Sequence, residues 1–416
     1  MRNITLISVF YLFLGGHFSQ AQDKNYARKI LTVLCDSSFH GRGYASQGDQ
    51  LAASFIRKQF ETLGLEKYTE SYLQNFEVSV NTLPDELELN VNGKLLRPGF
   101  DYLIDPSSPT VDKNLKAFYL KDSKFEQWDH LKSLLSNKSK HILVIDGTKI
   151  KPNVLNKLRF STEIELGGIV SISDKKLTWH ASTIQSPRPF LTIKKEAIDG
   201  KVKNVDLNVE ASFQKSYKTQ NVIGKIKGKS DSIILMSAHY DHLGRMGKST
   251  YFPGANDNAS GVALILDMAR HYSKSVPKYT MVFMAFGAEE LGLLGSDYFV
   301  KHPLFPLSEI KFMLNFDISG TGDDGIQVVN GTIFKSQFDQ LKKINNSNNL
   351  LKQVKVRGES CNSDHCPFYR NGVPSFFIYT LGGIKAYHDI YDRSETLPLT
   401  AYDNYFKLIA LFISSI

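Results

Sequence analysis

The sequence has little of what marks the specialised classes of protein. Only 3 of its 416 residues are cysteine, which excludes a small domain held together by disulfide bonds. With 14 prolines and 29 glycines it is neither collagen-like nor of low complexity. It has no run of Lys or Arg interleaved with aromatic residues, so we expect no nucleic-acid partner despite the net charge of +8. After residue 21 no stretch is apolar and long enough for a stable membrane span.

What remains is an ordinary globular composition, 42% hydrophobic and 22% charged, with a length that suggests two or three domains. The N-terminus differs from the rest. Arg2 precedes an apolar stretch at 4–16, and small residues follow up to Ala21. This pattern is typical of a cleavable secretory signal, with an uncleaved anchor as the alternative. We therefore predict export to the periplasm or the extracellular space after removal of residues 1–21.

The character of the chain changes twice along its length. Residues 49–63 predict an amphipathic helix that ends at Gly64. From 77 to 215, short alternating runs are separated by Pro, Gly, Asn and Lys, which predicts a small β-rich domain. This region separates two parts of the main domain, at 22–76 and 216–416.

The second part of the main domain alternates apolar strands with helices. A helix is predicted at 261–274, and continuous apolar strands are predicted at 232–237, 279–286, 311–316 and 374–379. The predicted fold class is therefore α/β, with a mixed, largely parallel sheet flanked by helices on both faces.

Acidic residues and histidines follow each of the four predicted strands. In strand order they are His239 with Asp241, Glu289 with Glu290, Asp317, and Tyr387 with His388. A fifth group, Asp257, lies in the loop that opens the 261–274 helix. Because the carboxyl ends of parallel strands share one edge of a sheet, these groups are expected to converge. Each has an ordinary structural explanation when taken alone, as a surface histidine, a helix start or a turn former.

Taken together, these side chains predict a metal site. Histidine with carboxylate suits zinc and leaves room for cobalt or manganese. Five ligands exceed one tetrahedral zinc with an open position, and they fit two metal ions that share a carboxylate.

The chain resembles the zinc-dependent exopeptidase family of secreted bacterial aminopeptidases, glutamate carboxypeptidases and glutaminyl cyclases. The resemblance rests on the order and spacing of motifs over residues 235–395. They are His239-x-Asp241, Gly-Ala-Asn-Asp257-Asn-Ala-Ser-Gly, Ala-Glu289-Glu290-Leu-Gly-Leu-Leu-Gly-Ser, Asn-Phe-Asp317, Ser-Asp364-His365-x-Pro-Phe and Tyr387-His388. Upstream, His40-Gly41-Arg42-Gly43 is similar to the start of the family's domain, and the β-rich insert resembles a protease-associated domain.

The resemblance implies a role for each residue of the predicted site. His239 and Asp317 would hold one zinc ion, Glu290 and His388 would hold the second, and Asp257 would bridge them. It also implies a cis peptide bond between Asp257 and Asn258.

The resemblance further implies hydrolysis by a metal-bridging hydroxide. Glu289 would be the general base, and Tyr387 is the candidate donor to the oxyanion. Asp241 would fix the tautomer of His239, since residues two apart in an extended segment share a side. By the same geometry, His242 is expected to point away from the metals.

The function that follows is an exported metal-dependent exopeptidase, most simply an aminopeptidase acting on peptides with a free N-terminus. A glutaminyl cyclase is one alternative, although that branch typically uses one zinc and lacks the strand-end Asp317. A dipeptidase or carboxypeptidase is another, and a non-catalytic receptor-like binding protein is a remote one. Cys361 and Cys366 are close enough to pair, which would leave Cys35 free.

Overall fold

Two eight-stranded sheets dominate the fold across the ranges that the computed structural model describes, residues 23–120, 128–147 and 150–416. The predicted signal at residues 1–21 lies outside these ranges. The strands are β1 Leu73–Thr82, β2 Leu87–Val91, β3 Lys94–Leu96, β4 Tyr102–Ile104, β5 Val111–Tyr119, β6 Lys138–Asp146, β7 Leu166–Ser173, β8 Phe190–Lys194, β9 Asn204–Val209, β10 Ser212–Ile226, β11 Ser230–His239, β12 Arg245–Met246, β13 Thr250–Tyr251, β14 Tyr279–Phe286, β15 Ile310–Phe316, β16 Ile326–Val329, β17 Val354–Val356 and β18 Ser375–Thr380. The α-helices are α1 Lys24–Leu34, α2 Gly48–Thr62, α3 Trp128–Leu135, α4 Pro152–Phe160, α5 Ser260–Tyr272, α6 Leu294–Lys301, α7 Lys335–Asn348, α8 His365–Arg370 and α9 Tyr402–Ser415.

The first sheet has the strand order β1-β10-β14-β11-β15-β18-β16-β17. Its four central strands, β14, β11, β15 and β18, run parallel, while β10 and β16 flank them antiparallel. The carboxyl ends of these four strands therefore meet at one edge. The sheet is mixed, as the sequence predicts.

Both faces of the first sheet are covered by helices. On β11, Ile234 and Met236 pack into the core that includes residues of α1, α2, α5 and α9. The alternate residues Ile233 and Leu235 pack on the other face, where the core includes Phe299 of α6 and Phe368 of α8. A strand buried on both sides reads as a continuous apolar run, which is why the sequence revealed it. The predicted fold class is confirmed.

Helix α5 lies directly behind the edge where the strands end. A Cβ atom on Gly261 would lie 2.6 Å from the carbonyl oxygen of Phe316, so the start of α5 packs against the end of β15. Arg270 lies in its last turn, where its positive charge complements the helix dipole. The loop before α5 is thereby brought next to the residue that follows β15.

The second sheet has the order β3-β2-β9-β5-β6-β7-β8-β4. Strands β5 to β8 run parallel, and α3 and α4 lie in the connections that lead to β6 and β7. The sheet thus spans residues 87–209. Residues 77–82 and 212–215, assigned to the insert from sequence, instead belong to β1 and β10, which pair in the first sheet. The reason is that the buried Val78 and Val80 of β1 pack in a cluster with another residue of the first sheet, Tyr217 of β10.

No helix within the described ranges has both the length and the apolarity needed to cross a bilayer.

Candidate metal centre

The first sheet brings the five predicted metal ligands together. His239 is the last residue of β11, Asp317 follows β15 directly, and Glu290 follows β14 after a short turn. His388 lies in the loop after β18. Asp257 comes from the turn Ala255–Ala259, which leads into α5. Four neighbouring parallel strands and one helix entrance therefore carry the site.

The carboxylate of Asp257 lies between two pairs of side chains. Its Oδ1 is 3.3 Å from Nε2 of His239, and that nitrogen is 3.5 Å from Oδ1 of Asp317. Its Oδ2 is 3.0 Å from Nε2 of His388, which is 3.3 Å from Oε2 of Glu290. Each oxygen of Asp257 thus faces its own pair of one histidine and one carboxylate.

The site carries more negative charge than its own residues balance. In the described part of the chain, the ion pairs of Asp257, Glu289, Glu290 and Asp317 are all to histidine. Asp317 Oδ1 is buried and has no hydrogen-bond partner among the described residues. Buried carboxylates are tolerated when paired or bound to a cation. The donor set of imidazole nitrogen and carboxylate oxygen therefore fits divalent metal ions such as zinc.

The pKa shifts of the site residues reflect the same excess of negative charge. Burial alone lowers the pKa of His239, but the carboxylates of Glu289 and Asp317 raise it well above its usual value. Burial also lowers the pKa of His388, and Glu290 and Asp257 outweigh it to give about 9. Burial raises the pKa of Glu289 well above its usual range. These shifts favour the protonated, positively charged forms of His239 and His388 beside the carboxylates.

His242 does not point away from the site, contrary to the prediction. Its Nδ1–H donates to Oε1 of Glu290 at 2.8 Å, and its ring lies against that of His388 with centroids 5.8 Å apart. The buried Nε2 of His242 has no hydrogen-bond partner among the described residues. The prediction is wrong because strand alternation ends with β11 at His239.

Asp241 supports the site differently from the prediction. Its carboxylate accepts the backbone N–H groups of Glu289 at 3.1 Å and Glu290 at 3.2 Å, and the hydroxyl of Tyr44 at 2.7 Å. Nδ1 of His239 donates instead to the backbone oxygen of Asp241 at 3.1 Å, and lies 3.8 Å from the carboxylate. The tautomer of His239 is thus fixed by a main-chain carbonyl, while the Asp241 side chain fixes the Glu289–Glu290 turn.

The loop that carries Asp257 is held by two residues that the sequence did not single out as part of the site. Asp392 accepts the N–H groups of Asn256 at 2.8 Å and Asp257 at 3.0 Å. The buried Arg42 donates to the carbonyl oxygens of Pro253 at 2.6 Å and Gly254 at 2.7 Å. Arg42 lies in the motif quoted for the family's start, but Asp392 has no local signal. The Asp257–Asn258 peptide bond is cis, as the resemblance implies.

A pocket of about 320 Å³ opens onto the predicted ligands. Its lining also includes Leu293, Ile318, Phe377 and Tyr387. Tyr387 is 46% exposed, and its ring stacks on that of His388 with centroids 4.0 Å apart. Burial and then the nearby carboxylates raise the pKa of Tyr387, so that its hydroxyl keeps its proton.

The motif around Asp364 forms one wall of the site. Ser363 donates to Oδ2 of Asp317 at 3.1 Å, and buried Asp364 accepts from Ser296 at 2.6 Å. Cys361 and Cys366 form a disulfide at the pocket's rim, and Cys35 is free and buried. The pairing that the sequence left open is thereby present.

Comparison with known proteins identifies the family. Residues 221–413 match the sequence profile of "Peptidase family M28". This part of the chain belongs to peptidase family M28. It contains all five residues of the predicted metal site, and the resemblance inferred from the motifs is confirmed. The likeness of the second sheet to a protease-associated domain stays a prediction.

The curated relatives described here match less than half of this chain. "Aminopeptidase YwaD" of Bacillus subtilis is 34% identical over 202 residues, 45% of this chain and 41% of the relative. A "Probable leucine aminopeptidase" of Arthroderma otae is 32% identical over 180 residues, 40% of this chain and 48% of the relative. The chain therefore spans less than half the length of these relatives.

Solved structures match nearly the whole chain. The M28 peptidase precursor of Shewanella amazonensis superposes with a TM-score of 0.71 at 18% identity, covering 94% of this chain and 93% of the other. BSAP, described as a zinc aminopeptidase from Bacillus subtilis, has a TM-score of 0.69 at 20% identity, covering 94% of both chains. At such low identity these likenesses establish the fold alone.

Proposed function

We propose that this M28 protein is an aminopeptidase that binds two zinc ions, with cobalt or manganese as possible substitutes. The observation that carries the proposal is the position of Asp257, whose two oxygens face two separate pairs of histidine and carboxylate. Two relatives named as aminopeptidases support it.

The five ligand residues divide into two metal positions. His239 with Asp317 would hold one ion, Glu290 with His388 would hold the other, and Asp257 would bind both. Metal ions held by these residues would supply Lewis acidity, which would lower the pKa of bound water and polarise the scissile carbonyl.

Glu289 is the proposed general base. It directly precedes a ligand, and its Oε2 lies 4.0 Å from Nε2 of His239, at the edge of the site. Its raised pKa suits a group that takes a proton from water and passes it to the leaving amine. Asp241 keeps Glu289 in place through the backbone, and the hydroxyl of Tyr387 would donate to the developing oxyanion.

The relatives favour the amino end of a peptide as the end that binds, because both of those described above are named as aminopeptidases. The four carboxylates that line the pocket, Asp257, Glu289, Glu290 and Asp317, would balance the charge of two zinc ions, so the loaded site would have no large positive charge to attract a free carboxylate. This argues for an aminopeptidase over a carboxypeptidase. The presence of Asp317 beside His239 argues for two metals over the single zinc expected of a glutaminyl cyclase.

The test uses the zinc-reconstituted chain with a panel of aminoacyl anilides and dipeptides. We expect release of N-terminal residues, no cleavage of N-acetylated substrates, and loss of activity with chelator. Glu289→Gln should lower kcat by roughly 10²–10⁴-fold, while the exposed Glu309→Gln should leave it unchanged. One zinc per chain together with cyclisation of N-terminal Gln would contradict the proposal, and so would cleavage of no member of the panel.

Two further parts of the proposal concern processing and architecture. Export would follow cleavage after Ala21, which N-terminal sequencing of the secreted protein would show. The second sheet would be a domain inserted into the catalytic one, between β1 and β10.

A further inference from the structure

The second sheet reaches the metal centre through the loop between β7 and β8. In this loop the N–H of Trp179 donates to the carbonyl oxygen of His388 at 2.8 Å. In return, Nδ1–H of His388 donates to the carbonyl oxygen of Trp179 at 3.0 Å. A predicted ligand of one sheet is thus held by a reciprocal pair of hydrogen bonds from the other.

Lys176 of the same loop fastens the segment around His388. Its Nζ donates to the carbonyl oxygens of Lys385 at 2.7 Å and Tyr387 at 3.1 Å. It also lies 2.6 Å from the carboxylate of Asp389, which is buried. One ammonium group therefore binds residues on both sides of His388.

Trp179 is itself firmly anchored. Its indole N–H donates to the carbonyl oxygen of Ile104 in β4, at 2.7 Å. Its ring stacks on Phe252, with centroids 4.7 Å apart and 19° between the planes. The indole therefore bridges the second sheet and the segment that leads to the Asp257 loop.

We propose that Trp179 and Lys176 are positioning residues for His388, so that the metal position of Glu290 and His388 depends on the second sheet. This rests on the proposed function. With Nδ1–H given to Trp179, the other ring nitrogen is left free to bind metal, and it faces Asp257 and Glu290. His388 also has a left-handed backbone with φ of 51°, which is uncommon for a residue other than glycine and needs support from its surroundings.

The two predicted metal positions differ in this respect. Nδ1 of His239 is held by the carbonyl oxygen of Asp241, two residues away, just beyond the end of β11. Nδ1 of His388 is held by Trp179, 209 residues away in sequence. Loosening the loop of the second sheet should therefore weaken one metal position and spare the other.

The test compares metal binding by the full chain and four variants. Lys176→Met removes the ammonium, and Trp179→Phe keeps an aromatic ring but removes the indole N–H. Lys176→Arg is the conservative rescue, and Lys175→Met is a control at the neighbouring exposed lysine. The readouts are zinc content against a competing chelator and the visible spectrum of the cobalt-substituted protein, with circular dichroism to verify folding.

We expect Lys176→Met and Trp179→Phe to bind the ion at the Glu290–His388 position about 10-fold more weakly, because the loop loses an anchor while the Trp179 carbonyl that accepts from His388 remains. The ion at the His239–Asp317 position should bind as in the wild type. The cobalt spectrum should lose the contribution of the Glu290–His388 position. Lys176→Arg should recover most of the affinity, and Lys175→Met should show no change.

Wild-type affinity for both ions in folded Lys176→Met and Trp179→Phe would overturn the inference. Equal weakening of both ions would overturn it too, because the loop would then have no specific link to His388. A wild-type chain that binds fewer than two ions would instead contradict the proposed function.

Discussion

Two buried clusters of charged side chains, one at each sheet, differ in how their negative charge is balanced. In the second sheet, Asp105 accepts hydrogen bonds from the backbone N–H of Ser107 at 3.0 Å and from the guanidinium of Arg159, with His180 Nε2 at 3.5 Å. Burial raises the pKa of Asp105, but His180 and Arg159 outweigh it and hold the pKa at about 2. The chain itself supplies the charge that this carboxylate needs.

The metal centre of the first sheet lacks such a partner. Among the described residues, the ion pairs of its four carboxylates are all to histidines, and one oxygen of Asp317 has no hydrogen-bond partner. A buried carboxylate is tolerated when hydrogen-bond donors or positive charge compensate for its lost hydration. In the second sheet that charge is covalently part of the chain, whereas in the first it must come from solution. The comparison explains why one cluster is structural and the other is suited to chemistry.

The largest expected effect comes from Asp257→Asn, which removes the carboxylate shared by both metal positions. We expect loss of both ions and a fall in kcat/KM of at least roughly 10³-fold, because metal ions contribute several kcal/mol to such transition states. Metal analysis and peptidase assays would measure it. The exposed Asp339→Asn serves as the control, and retention of two tightly bound ions would break the comparison.

Sequence alone predicted the parts of the site that local patterns encode. The apolar runs of β11 and β15 lead directly to His239 and Asp317. The pattern of the strands and the positions of these two residues were therefore enough to predict them as part of the site. The same strand alternation predicted the wrong direction for His242 and the wrong contact for Asp241, because both residues lie beyond the end of β11. The geometry of a loop depends on what it packs against, which no repeat in the sequence specifies.

Long-range contacts were also beyond the sequence. Asp392 binds the backbone of Asp257 from 135 residues away, and Trp179 binds His388 from a different sheet. Short segments of β1 and β10, at 77–82 and 212–215, were assigned to the insert because the region from 77 to 215 has short alternating runs. Their pairing partners, and not their own residues, decide which sheet they join.

The complementary variant is Asp105→Asn in the second sheet. It leaves the partly buried guanidinium of Arg159 without its carboxylate, and loss of one partner of a buried pair costs roughly 3–5 kcal/mol. We expect the free energy of unfolding to fall by about that amount in urea titrations. Zinc content should stay the same, and a loss of zinc would show that the two clusters are not independent.

The stability that the Asp105 carboxylate contributes also depends on pH, and this effect is smaller than that of the substitution. The folded pKa of Asp105, about 2, is below the value of 3.8 expected in the unfolded chain. The carboxylate therefore contributes stability that is complete above about pH 4 and is lost as the pH falls towards 2. The difference between the folded and unfolded pKa values corresponds to about 2 kcal/mol in the free energy of unfolding.

Metal-free wild type and Asp105→Asn, unfolded in urea between pH 6 and pH 2, would measure this contribution. The gap in stability between the two should narrow by about 2 kcal/mol on acidification. A gap that does not change with pH would mean that Asp105 is not held as the carboxylate by its neighbours.

The smallest effect is expected from His242→Ala, which removes a hydrogen bond to a ligand and spares the ligand itself. Nδ1–H of His242 fixes Oε1 of Glu290, leaving Oε2 towards His388. We expect about 10-fold weaker binding of the ion at that position and no change at the other. Chelator competition would measure it, with His271→Ala on α5 as the control. If His242→Ala instead lost the ion altogether, His242 would be a ligand in its own right, and the first sheet would carry three histidine ligands for the two proposed metal ions.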